Sequence, residues 1–98
     1  VLWFTGPAIT PTTAGSWIFT TLHLGSTPAD GSSVDTAPAN MSNVGGGTAT
    51  DGTTYQIDWG AAYYTAWTSG SFDPDSWTRI SGDGGNGHVG ITFAVRPA

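Results

Sequence analysis

Ser16-Trp17-Ile18-Phe19-Thr20-Thr21-Leu22-His23-Leu24 decides the fold. At a period of two it divides into Ile18, Thr20, Leu22 and Leu24 on one side and Trp17, Phe19, Thr21 and His23 on the other. β-Branched and aromatic side chains suit a pleated strand. Both sides carry apolar groups, so the stretch predicts a central strand covered on both faces.

Working outward, residues 89–95 (VGITFAV) give the strongest alternation in the chain. Val89, Ile91, Phe93 and Val95 are expected to face the core, with the small residues Gly90, Thr92 and Ala94 on the reverse face, where a sheet or subunit can approach closely. Residues 53–59 (TTYQIDW) alternate as well, setting Tyr55, Ile57 and Trp59 against Gln56 and Asp58, and Gly60 is expected to break the strand. Residues 61–68 read as strand rather than helix, 77–80 as a short strand and 8–11 as an edge strand, the place where proline is tolerated. Residues 25–52 are rich in Gly, Ser, Thr, Pro, Asp and Asn, with Val34, Met41 and Val44 as the sizeable aliphatic or thioether side chains. A structureless loop of that length is uncommon in a compact domain. The segment is expected to hold one or two weak strands or to lie on a neighbouring subunit. Gly45-Gly46-Gly47 reads as flexible punctuation, and Asp51-Gly52 as a hairpin turn. Short strands between turn signals predict an all-β chain, a small antiparallel β-sandwich or jelly-roll-like domain over residues 1–98.

Composition agrees. The 98 residues include five Trp, four Phe and three Tyr but no Lys, Glu or Cys. Helix formers are scarce, and every acidic group is Asp, which favours turns. Ninety-eight residues suffice for a thin core, in which large aromatics carry much of the burial. With no cysteine to staple it, the domain must rely on that core or on neighbouring subunits. A net charge of −5, with Arg79 and Arg96 as the sole formal cations, argues against nucleic acid and anionic membrane surfaces as partners. No apolar run approaches a membrane span. The abundance of hydroxyls over charges is associated with secreted and virion-surface proteins. The chain opens at Val1 without an initiator Met or a signal-like stretch, and is expected to be processed or part of a longer polypeptide.

For chemistry, His23 and His88 are the general-base candidates, and no serine sits in a G-x-S-x-G context. The expectation is no enzyme and no cofactor. Asp73, Asp75, Asp83 and Asn86 offer oxygen ligands of the kind calcium prefers, and Asp30 and Asp35 a second loose set. None has the spacing of an EF-hand, and Asp beside Gly or Pro ordinarily makes a turn, so no metal is expected. The aromatics Trp59, Tyr63, Tyr64, Trp67 and Trp77 could offer flat faces for stacking on sugar rings. Trp59, Tyr64, Trp67 and Trp77 are the candidate glycan-binding set, to be weighed against the demand of a thin core for large side chains. Asn40-Met41-Ser42 fits the N-glycosylation pattern at Asn40.

The C-terminal stretch from Trp77 through GDGGNGHVGITFAVRPA, together with ITPTTAGSWIFTTLHL at 9–24, resembles terminal β-sandwich domains of bacteriophage tail and fibre proteins. That resemblance implies a virion-associated structural or receptor-facing module that is oligomeric and takes part in host attachment. It carries over no catalytic residues. The expected partners are neighbouring copies or other virion or surface proteins, and cell-surface glycan, at an extracellular or virion-surface location. Two alternatives stand beside it. One is a carbohydrate-binding module of a secreted protein. The other is a subunit of a bacterial or archaeal surface filament, in which residues 1–10 would lie on a neighbour's sheet edge.

Overall fold

The computed structural model describes residues 2–26, 36–79 and 87–98. Six strands follow in chain order: β1 (Leu2–Phe4), β2 (Trp17–Ser26), β3 (Ser42–Thr50), β4 (Gln56–Tyr64), β5 (Trp77–Arg79) and β6 (Gly87–Val95). The all-β class is as expected. The longer strands form one antiparallel sheet in the order β3-β4-β2-β6, and β1 pairs with β5 in a two-stranded ribbon. Among the described residues, the second sheet is this two-stranded ribbon.

β2 is central, paired along its length with β4 on one side and β6 on the other. One face of the sheet is covered. There Ile18, Thr20, Leu22 and Leu24 are wholly buried, joined by Ala62 and Trp77. Phe4, Ala37 and Met41 pack against the cluster of Leu22, Leu24, Ala62 and Trp77. Thr36 adds a bridge to Thr78 outside the ribbon. Phe4 also sets its ring edge-on against His88, with centroids 4.9 Å apart.

On β4 and β6 this covered face carries small and polar residues, and at two of them the cover lies very close. Gly60 sits in the middle of β4, and a Cβ there would stand 2.7 Å from the Trp77 ring. Trp77 therefore fills the space that any side chain at 60 would need. Gly60 does not end the strand, as its position after Trp59 led us to expect; β4 runs through it. Similarly, a Cβ on Gly90 would lie 3.3 Å from the Gly6 Cα, where the N-terminal segment crosses β6. Polar groups on this face satisfy one another. The Thr20 hydroxyl donates to the Ile91 carbonyl at 3.1 Å, and the Asp58 carboxylate accepts from Thr48 Oγ1 at 3.0 Å and Gln56 Nε2 at 2.8 Å.

The faces of β4 and β6 are the reverse of those expected. Val89, Ile91, Phe93 and Val95 are exposed, and Gly90, Thr92 and Ala94 turn toward the cover. Likewise Gln56 and Asp58 are buried while Ile57 and Trp59 face out. The physical reason is local: the cover presses closest on β4 and β6, at Gly60 and Gly90, while the branched Ile18, Leu22 and Leu24 of β2 fill the rest of the covered face. Within the segment 25–52, β3 is one nine-residue strand that contains Gly45, Gly46 and Gly47, with a bulge between Asn43 and Gly45. Its pairing with β4 is a backbone ladder that needs no side chain. Residues 8–11 form no strand beyond a single bridge of Ile9 to Phe72.

Candidate functional site

The uncovered face of the sheet is the most distinctive surface among the described residues. Each outward residue of β2 is flanked by outward residues of its neighbours, which gives lateral rows. From β6 to β3 one row reads Ile91, Thr21, Ala61, Gly45. On one side of it lies Val89, His23, Trp59, Gly47, and on the other Phe93, Phe19, Tyr63, Ser42. Val95 and Trp17 continue the face at one end, and Ile57 and Ala49 at the other.

Its apolar side chains are largely open to solvent. Trp17, Ile57, Trp59, Val89, Ile91, Phe93 and Val95 retain between 39 and 57 % of their accessible surface. Phe19 and Phe93 stack across β2 and β6, with centroids 5.3 Å apart and planes within 13°. The Trp59 indole lies across Gly47, where a Cβ would fall 2.9 Å from its Nε1. Beyond Trp17 an open cleft of about 290 Å³ is lined by Gly15, Trp17, Val95, Arg96 and Pro97. Among the described residues, no outward position on the four strands is Asp or Arg. A soluble chain rarely leaves so continuous an apolar patch uncovered, and such patches mark interaction surfaces.

The four aromatics of the candidate glycan-binding set are not brought together. Trp59 is on the uncovered face, and Trp77 is 2 % exposed on the covered one. Tyr64 is half-buried and stacks on Phe72 at 4.7 Å. Trp67 is buried, its indole N–H donating to the Gly70 carbonyl at 2.9 Å. Trp67 and Trp77 are thus core side chains, recruited because the core is thin, and present no flat face to a sugar. Sequence proximity grouped residues that the strand period separates. The aromatics it missed as surface groups are Trp17, Phe19 and Phe93, whose signal was the two-sided apolar pattern of β2.

Asn40 is exposed, and its side-chain amide clamps a neighbouring loop. Its nitrogen donates to the Asp73 carbonyl at 3.0 Å and its oxygen accepts from the Asp75 N–H at 2.9 Å. Of the oxygen-ligand sets, Asp30, Asp35, Asp83 and Asn86 lie outside the described residues. Among the described residues no three His, Asp or Glu side chains come together as a metal-holding group. His23 stands on the uncovered face beside Trp59, and His88 lies on the covered side against Phe4. Within the chain, the N-terminal strand pairs Leu2 with Arg79 and Phe4 with Trp77.

At the β3–β4 turn, Asp51 accepts backbone N–H bonds from Thr53, Thr54 and Tyr55 at 2.9, 2.8 and 3.0 Å. The Tyr55 N–H, followed by those of Thr53 and Thr54, holds its carboxyl below the usual carboxylate range. No protein family, curated protein or solved structure matches this chain.

Proposed function

We propose that this chain is a non-enzymatic structural or adhesive module of an extracellular assembly, a virion component of the tail, fibre or decoration type. It works by burying the uncovered sheet face against a neighbouring subunit. The observation that carries this reading is the apolar face itself. Large apolar side chains of β2, β4 and β6 stand on it in rows, with no Asp or Arg at the outward strand positions, and the sheet's other face is covered by the chain itself. Such a face suits permanent burial, as in interfaces that resemble a domain core cut in half.

The test is location. Particles purified from the culture medium or phage lysate of the source should contain the chain in fixed proportion to their other subunits, measured by quantitative mass spectrometry. Recovery of the chain only as a free 10.0 kDa species, with none on particles, would overturn the reading.

A further inference from the structure

We infer that the occupant of the uncovered face is a second copy of this chain, packed face to face about a twofold axis parallel to the strands. The inference rests on the reading of that face as an interface and names its partner. A twofold interface is self-complementary: the same patch must fit itself after rotation. The uncovered face has the relief this requires. Along the row Ile91, Thr21, Ala61, Gly45, side-chain bulk falls steadily from the β6 edge to the β3 edge. The flanking rows begin with Val89 and Phe93 on β6 and end with Gly47 and Ser42 on β3. Relative to β3, β6 is therefore a ridge in every row, although the flanking rows are bulkiest within the sheet, at Trp59 and at Phe19 and Tyr63. β3 is a low edge on which a Cβ at Gly45 would meet nothing within 4 Å.

Rotation about an axis along the strands keeps each row in place and reverses the strand order. It lays Ile91 of one copy over Gly45 of the other, and Thr21 over Ala61. In the next row Phe19 meets Tyr63 and Phe93 meets Ser42. An axis across the strands would instead stack ridge on ridge and leave a void over β3, which close packing disfavours. Stacked sheets cross at up to about 30°, so the rows stay in best register at the central one, about which that crossing pivots.

Charge and area agree with this partner. Each copy carries a net charge of −5, yet no carboxylate stands among the outward strand positions, so two copies meet without burying like charge. Four strands of nine or ten residues give a footprint of roughly 20 by 30 Å from strand spacing and rise. That is about 600 Å² before side-chain relief is added, close to the roughly 800 Å² per partner of a standard interface. The product is a two-sheet sandwich in which each chain supplies one sheet.

The experiment uses the 98-residue chain, which has no cysteine of its own. Sedimentation equilibrium should give twice the 10.0 kDa chain mass. Ile91→Lys should keep the wild-type circular dichroism and associate at least about tenfold more weakly, because the dimer would bury an uncompensated charge. Stacked sheets lie about 10 Å apart, beyond the reach of a disulfide, so a bis-maleimide of that span is the probe of geometry. Gly45→Cys mixed with Ile91→Cys should cross-link, and neither variant alone should. Cross-linking of Ile91→Cys with itself would overturn the inferred axis, and this result needs no charged variant to fold. A monomer at about 0.1 mM, where even a micromolar interface is populated, would overturn the second copy as occupant. If that monomer binds a hydrophobic dye, the interface reading stands with a different partner. If it binds none, that reading falls too.

Discussion

The two faces of the four-stranded sheet are made by the same strands and obey opposite rules. The covered face carries Thr20, Asp58, Gly60, Ala62, Gly90 and Thr92 beside its three aliphatics, and is dry because a ribbon and one tryptophan press onto it. The uncovered face carries Trp17, Phe19, Trp59, Ile91 and Phe93, and nothing in the chain's described residues covers it. Hydropathy alone would name the second face the core. What the difference teaches is that core membership follows the distance of the covering layer, not the apolarity of the side chains. Small residues mark where the chain's own cover approaches, and large ones mark the space left for another molecule.

That contrast can be broken from either side. The largest effect belongs to Trp77→Ala, which empties the centre of the covered face. A loss of about 3–5 kcal/mol is expected, measured by urea unfolding, and would consume much of a small domain's stability. Trp77→Phe sharpens the point. The Trp77 indole N–H is buried without a partner among the described residues, so the smaller ring should cost clearly less than Ala. Gly60→Ala comes next. Its new methyl would press on the Trp77 ring, with an expected loss of about 1–3 kcal/mol by the same measurement.

The turn at Asp51 gives a local effect. Its lowered carboxyl value means that the ionised group stabilises the folded turn above the ordinary value of 3.8. That contribution is lost as pH falls through 3.8 toward the lowered folded value. Protection of the Tyr55 and Thr54 amides from hydrogen exchange should fall with acid in the native chain and stay flat in Asp51→Asn. The smallest effect is expected on the uncovered face. Val89→Thr should change the stability of the dilute monomer by no more than about 0.5 kcal/mol, by tryptophan-detected unfolding at nanomolar concentration. A loss as large as that of Gly60→Ala would mean the face is already covered.

Much of the fold was legible in the sequence. The strand at 16–24 and its central place were read from its two-sided pattern, but only one of its sides is covered by the described residues, not both as expected. The alternations at 53–59 and 89–95 marked real strands. Their sense did not follow, because a period of two assigns residues to faces without saying which face is inside. Gly60 and Gly45-Gly46-Gly47 were misread for a related reason. Glycine signals a break when judged locally, whereas here a tryptophan distant in sequence and a backbone ladder make it a strand residue. The candidate glycan set failed on the same point: Trp59 and Trp77 are near in sequence and on opposite sides of the sheet. The uncovered face itself was half visible, in the apolar second side of β2.

The pairing of the ends has a consequence for how the chain acquires its structure. Trp17 is matched with Val95, and Leu2 with Arg79, so the innermost strand waits for the last one. Closing loops of that span is slow, and native contacts this distant in sequence place the domain among late, cooperative folders. During synthesis β2 can pair with β4, but its other edge stays open until residue 95 has emerged. Nascent chains therefore pass through a stage with a bare strand edge beside an oily surface, the combination most prone to wrong association. Slowing translation ahead of β6 would lengthen that stage, and the yield of soluble protein would report it.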